Sequence, residues 1–196
     1  FAYAYCRGRL FDTVEIDDGQ YDTVADIFWA TGACLFIRSD IFWKAGALDE
    51  DFFAHQEEID LCWRIKNMGY RIVCIPQSVI YHVGGGSLPK GNPRKTYLNF
   101  RNNLMMMFKN LDAVSLCWKF PFRLVLDQLA ALYLFLKNRD FAELFSIYKA
   151  QGAAIRRIPS LLKKRKQGRH FSAAHLSGTS VVWQYYVRGK RKFSEL

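Results

Sequence analysis

The stretch from Phe52 to Ser87 constrains this chain most. Gln56 to Asn67 carries a helical pattern, and Gly69 stands where a left-handed C-terminal cap would end it. Tyr70 to Ile75 alternates as a strand does until Pro76 closes it, and Val79 to Val83 reads as a second short extended piece. A helix, a tight turn and a strand therefore follow in fixed order, with a charged cluster at the helix start.

That cluster is Glu57-Glu58-Ile59-Asp60 with Arg64 one turn on. At about 100° per residue Glu57, Asp60 and Arg64 share a face, whereas Glu58 turns toward Leu61, Cys62 and Ile65. Asp60 and Arg64 are spaced for an i,i+4 ion pair. Both glutamates sit in the first turn, where the helix dipole favours the ionised carboxylate. A carboxylate held ionised in a cleft can accept a proton from a hydroxyl nucleophile. Acidic residues at a helix start are also ordinary surface chemistry, so the cluster alone does not define a site. His82 ends the following strand and opens Gly84-Gly85-Gly86-Ser87. Neutral imidazole is a common metal ligand, and a glycine run lets backbone N–H groups approach a phosphate. No Gly-Lys-Ser/Thr follows, so this is not a Walker loop, and no cysteine set completes a zinc site with His55 or His82.

Elsewhere the chain alternates between elements and loops. Residues 12–26 are acidic and turn-rich, a loop or hairpin. Ala33 to Ile37 reads as a buried strand, and Ser39 or Asp40 can cap a short helix through Lys44 that Gly46 ends. Leu98 to Leu111, Phe122 to Leu136 and Phe141 to Ile158 have helical patterns. The second is apolar but interrupted by Arg123, Asp127 and Gln128, which argues against a membrane span. Residues 111–160 thus form a helical appendage that either lies in a membrane interface or packs on the domain.

Charge is unevenly placed. Residues 151–196 hold 11 Lys/Arg and one acid, Glu195, while residues 1–150 balance at 17 of each sign, so the net +10 lies in a basic tail. Such a block seeks polyanions, anionic lipid or nucleic acid. The 51% hydrophobic fraction supports a packed core. Five cysteines, none in Cys-x-x-Cys spacing, fit a reduced compartment, with Cys34, Cys62 and Cys74 as small hydrophobes. The opening Phe1 and the apolar run after it suggest a natural protein extending upstream.

In order, the motifs resemble the inverting family-2 glycosyltransferases of the GT-A fold, in particular bacterial rhamnosyltransferase-like members. The resemblance runs through Thr31 to Arg38, Phe42, Gly46 to Phe53, Glu57 to Arg64, Gly69-Tyr70, Pro76, Tyr81 to Ser87, Lys95, Tyr97 and Arg101-Asn102. It implies an α/β chain. Residues 1–110 would be the C-terminal, acceptor-side half of a GT-A domain, 111–160 the appendage and 161–196 the tail. It implies transfer of a sugar from a nucleotide-sugar to a hydroxyl of a glycan or lipid-linked acceptor, with inversion, in cell-surface polysaccharide synthesis. Glu58 would be the general base, one methylene longer than the Asp of many members, and Glu57 its neighbour in the catalytic pair. Trp29 and Gly32 would border donor sugar and acceptor, and Asp60 and Arg64 would shape the acceptor side. His82 would lie near the diphosphate and its divalent cation, Mg or Mn, acting as a Lewis acid. The family's nucleotide pocket and Asp-x-Asp motif lie upstream; Asp49-Glu50-Asp51 has the spacing but falls in the loop before the acidic helix. The chain alone is therefore expected to be inactive. A cytoplasmic protein, peripheral on the inner membrane face, is expected, with an anionic membrane surface favoured over nucleic acid as partner. The competing reading is a non-catalytic basic module.

Overall fold

The computed structural model describes residues 1–82, 91–167, 178 and 180–196. The chain is α/β but mostly helical. Four strands of two residues each form two antiparallel pairs among the described residues. Strand β1 (Arg9–Leu10) pairs with β2 (Thr13–Val14), and β3 (Ala25–Asp26) pairs with β4 (Val73–Cys74). The acidic stretch thus holds a small hairpin and then an edge for β4. The Ile27 N–H extends that edge by donating to Ile72 O at 2.9 Å.

Two strand expectations change. Tyr70 to Ile75 contributes only the two residues of β4. Ala33 to Ile37 forms no strand: Gly32–Cys34 is a 3-10 turn, the Ala33 N–H donates to Thr31 Oγ1, and Phe36 is 100% exposed. A ladder needs a neighbour, and no described strand lies beside this run, so the backbone bonds within itself. Cys34 is accordingly exposed rather than a core residue, whereas Cys62 is buried. Of the piece expected at 79–83, the described part shows no strand. Val83, the glycine run and Ser87 lie outside the described residues.

The helices follow the sequence pattern more closely. Helix α1 (Ser39–Lys44) ends at Gly46, whose φ of 84° suits a residue without Cβ. Its cap position is Arg38, which offers no capping side chain and instead pairs with Asp40 at 2.8 Å. Helix α2 (Glu57–Asn67) stops at Gly69, φ 87°, and Tyr70 N–H returns to Ile65 O. Then come α3 (Pro93–Asn110), α4 (Ala113–Asn138), α5 (Phe141–Arg156), α6 (Ile158–Gln167) and α7 (Val181–Tyr186). Helix α4 begins nine residues before the expected Phe122, because Asp112 caps it by accepting from Ser115 N–H at 2.8 Å; it runs through Pro121.

Helix α3 is the axis of the core. Leu104, Met105, Met106 and Met107 are successive and all buried, so every side of this turn meets another element. They pack with Phe52, Ile59 and Trp63 on one side and with Ala154 of α5 and Leu161 of α6 on the other. The appendage thus shares a core with the residues before 110. A second cluster joins Ile41 and Ala45 to Leu61 and Ile65, seating α1 on α2.

Within this core lies a chain of ions. Asp60 accepts from Asn110 Nδ2 at 2.7 Å on one oxygen. Its other oxygen accepts from Arg64 Nε at 2.9 Å and Lys109 Nζ at 2.7 Å. Lys109 also reaches Asp49 at 2.7 Å. Lys164 of α6 bridges Asp49 and Asp51 at 2.5 and 2.6 Å, and Arg157 adds a contact to Asp51 at 3.1 Å. Burial by itself would raise the Asp49 carboxyl, but the hydrogen bonds from Lys109 and Lys164 outweigh it and bring it down to about 2. A depressed folded pKa stabilises above the unfolded value of about 4 and is lost as pH falls. Stability carried by Asp49 should therefore decline between about pH 4 and about pH 2, and Asp49→Asn should remove that part of the acid limb in a pH-resolved melt. Asp60→Asn, which strands Lys109 and Arg64, should lower the urea unfolding free energy by about 3 kcal/mol.

Candidate functional site

The loop before α2 is bent against its residues' preferences. Phe53, His55 and Gln56 have φ of 65°, 68° and 73°, positions where a Cβ is disfavoured by roughly 1–2 kcal/mol each. Helix α3 holds them there. Asn102 Nδ2 lies 2.9, 2.8 and 2.7 Å from the carbonyl oxygens of Phe52, Ala54 and His55. Arg101 donates to Asp51 O and Phe52 O at 3.0 and 2.9 Å. Strain held by a dedicated clamp aims side chains that a relaxed loop would not.

What it aims is a run of polar groups. His55 Nε2, Gln56 Oε1, Glu57 Oε2 and Glu58 Oε2 are each buried without a hydrogen-bond partner among the described residues. Buried polar atoms are rarely left unmatched, and four in successive residues single out this corner of the molecule. A cavity of 310 Å³ opens here, lined by Tyr5, Arg9, Trp29, His55, Glu58 and Asn99 among others. A larger cavity of 780 Å³, mainly apolar, shares Tyr5, Cys6, Trp29 and Ile59 with it.

The electrostatics correct one expectation. The first-turn position was expected to favour ionised Glu58, yet burial pushes its carboxyl above the usual range, and the neighbouring Glu57 adds to the rise against opposing backbone N–H groups. Burial likewise lowers the His55 imidazole, helped by Lys95, so the ring is held neutral more firmly than in water. A carboxylate whose proton affinity is raised, facing a hollow, can act as general base.

The predicted site residues separate into two sets. Trp29 and Glu58 both line the smaller cavity, and a Cβ placed on Gly32 would sit 4.0 Å from the Glu58 Cβ, so these three come together. Trp29 is oriented by its indole N–H donating to Tyr5 O at 3.2 Å. Asp60 does not join them. It is 0% exposed with both oxygens bonded inside the core, so the expected substrate contact is corrected to a support for α2. Arg64 is turned the same way, donating to Asp60, to Ala45 O and, at 2.7 Å, to Ala47 O. Glu57 borders neither cavity. His82 is exposed and borders neither of these two cavities. No three His, Cys, Asp or Glu side chains converge to hold a metal ion among the described residues, and Asp49 and Asp51 are engaged by lysines and Arg157. These residues do not by themselves fit a divalent cation.

His55, Gln56, Tyr5, Arg9 and Asn99 line the cavity without having been expected there. Asn99 and Asn102 are three apart in α3, a polar pair on one face of an otherwise core-forming helix, and that spacing was a readable signal. Tyr5 and Arg9 come from distant chain and carried none.

A strained loop thus presents the Glu58 carboxyl at a cavity in an α/β frame. Comparison with known proteins gives the class more definition. Over 104 residues the chain is 29% identical to an N-acetylglucosaminyl-diphospho-decaprenol L-rhamnosyltransferase of Mycobacterium tuberculosis, covering 53% of this chain and 33% of that protein. It is 27% identical over 117 residues to a low-salt glycan biosynthesis hexosyltransferase of Haloferax volcanii, covering 56% and 38%. A rhamnosyltransferase of Escherichia coli, WbbL, matches at 34% over 55 residues, 28% of this chain and 20% of that one. The chain thus spans about a third of the length of these curated relatives. No family model matches, and no solved structure does. Over roughly half its length the chain is similar to proteins named as rhamnosyl- and hexosyltransferases.

The raised Glu58 pKa has a checkable sign. The folded state holds this proton more tightly than the unfolded one, so Glu58 is neutral in cost below the unfolded pKa and destabilising once pH rises through the folded value. Carbon-13 NMR should find the Glu58 carboxyl titrating above the ordinary glutamate value of about 4.3. Glu58→Gln should raise unfolding free energy at about pH 7 and change it little at about pH 3.

Proposed function

We propose that this chain is the acceptor-side part of an inverting GT-A glycosyltransferase, moving a sugar from a nucleotide-sugar to a hydroxyl of a glycan or lipid-linked acceptor. The observation that carries the reading is the meeting of Glu58 and Trp29 at one cavity, with Gly32 packed beside Glu58, next to a loop whose strain α3 maintains. In this proposal residues 1–110 supply the acceptor side, 111–160 a helical appendage and 161–196 a basic tail. A cytoplasmic location is part of the same proposal, since nucleotide-sugars are made there.

Glu58 is the proposed base. Its carboxylate would accept the proton of the acceptor hydroxyl as the oxygen attacks the anomeric carbon from the face opposite the leaving nucleoside diphosphate. A proton affinity raised by burial makes Glu58 a stronger base than an exposed glutamate. Trp29 offers a flat wall for a sugar ring. Gly32 packs beside the Cβ of Glu58. Neutral His55 can accept or donate a hydrogen bond to a sugar hydroxyl. Asp60 and Arg64 fix the helix behind the base. The divalent cation implied by the resemblance, with His82 near it, belongs to the proposal as well; the described residues build no site for it and no step is assigned to it.

The test uses the full-length protein with a nucleotide-sugar and a lipid-linked glycan acceptor. Glu58→Gln should lower kcat by about 100- to 10,000-fold while leaving nucleotide-sugar affinity within a few-fold. Full turnover by that variant would remove Glu58 as the base. His55→Ala should act mainly on acceptor KM.

A further inference from the structure

Helix α4 buries a charged pair among apolar core contacts and leaves an apolar stripe on its outer side. Its interior-facing charges are Arg123 and Asp127, paired at 2.7 Å and buried, with Arg123 also donating to Phe1 O and Asn103 Oδ1. Its outward face carries Trp118, Phe122, Val125, Leu129, Leu132 and Leu136, all exposed, at intervals of three or four residues. That spacing makes one continuous stripe along the helix. Helix α5 likewise buries polar side chains beside Ile147, Ala150 and Ala154 and leaves apolar ones outside. Glu143 is buried and accepts from Thr96 and Asn138, and Gln151 is buried and donates to Leu124 O, while Phe141, Phe145 and Tyr148 face out. A helix packed on a domain in water normally has the reverse polarity. Scattered exposed leucines need no account, but a stripe along two adjoining helices does.

The charge around the stripe says what meets it. Between Ala113 and Lys163 the exposed charged residues are Lys137, Arg139, Lys149, Arg156 and Lys163, all cationic. The acids of this span are turned away: Asp127 and Glu143 are buried, and Asp140 caps α5 through Ala142 N–H at 2.7 Å. A second copy of the chain would set these cations against their own kind. An apolar ridge with aromatic side chains and a purely cationic border matches the acyl boundary and headgroups of an anionic bilayer. No described helix is long and apolar enough to cross a membrane, so the geometry is that of a helix pair lying flat. At 26 residues, α4 would extend about 39 Å along the surface.

We propose that the outer face of α4 and α5 docks in the plane of an anionic lipid bilayer, with the apolar stripe in the acyl boundary and the lysines and arginines among the headgroups. The face is defined by these two helices alone and does not depend on the sugar-transfer reading. The test is flotation of the chain with vesicles of phosphatidylcholine containing phosphatidylglycerol, against pure phosphatidylcholine. Strong preference for the anionic vesicles is expected. Leu129→Glu with Phe145→Glu should weaken partitioning at least tenfold, with far-UV circular dichroism and the thermal melt unchanged because both side chains already face water. Lys137→Gln with Lys149→Gln, which leaves the stripe intact, should weaken it by about fivefold per charge and only on anionic vesicles. Absence of partitioning, or undiminished binding by the glutamate variant, would overturn the proposal; the second result would assign membrane contact to the basic tail. A dimer in vesicle-free buffer that the glutamate variant dissolves would also overturn it, since a second copy would then cover the face.

Discussion

Asp60 is the point on which the rest of the structure turns. A carboxylate with no exposed surface is costly unless each oxygen is matched, and here α2 and α3 both contribute to matching it. Arg64 comes from its own helix, Lys109 and Asn110 from α3. Lys109 then passes the contact to Asp49, and Lys164 passes it from Asp49 to Asp51 and so to α6. One line of alternating charge therefore registers four separate segments. Hydrophobic packing around Trp63 and Met106 gives these segments cohesion, but packing of flexible methionines tolerates sliding. Directed ion pairs with fixed partners do not.

The candidate site depends on that registration. Asn102 and Arg101 lie on the same helix as Lys109 and Asn110, so the charges that place α3 also place the clamp on residues 51–55. If α3 moved by a turn, Asn102 would lose its three carbonyls, and His55 and Gln56 would have no reason to stay left-handed. Glu58 sits at the end of that loop with its carboxyl turned toward the cavity while Asp60, two residues on, is turned into the core. Two carboxylates on one turn thus have opposite environments: one paired and buried in ions, the other half-buried with one oxygen unpartnered and shifted upward.

The outward face of α4 and α5 follows a different logic. Its buried Arg123–Asp127 pair and buried Glu143 satisfy their polar groups against the protein. Polarity was thus spent on orientation toward α3, and the residual face is apolar with a cationic border. The larger cavity beside the site is apolar too, and the two cavities share Trp29 and Ile59.

Local rules fixed a good part of this from the residues alone. Gly69 and Gly46 end their helices because a left-handed cap excludes most other residues, and the Asp60–Arg64 spacing brings the pair together on any α-helix. The acidic pair at the head of α2 was legible for the same reason. What depended on distant chain was not. Whether Ala33 to Ile37 becomes a strand rests on a neighbouring ladder, which local pattern does not supply, and the run is a turn here. Periodicity put Glu57, Asp60 and Arg64 on one face but carried no information on which face is covered; α3, about forty residues later, covers Asp60 and leaves Glu58 at the cavity. The same physical reason separates the rest: helix ends and i,i+4 pairs arise within a few residues, whereas burial, and with it the proton affinity of Glu58, is set by what folds against them.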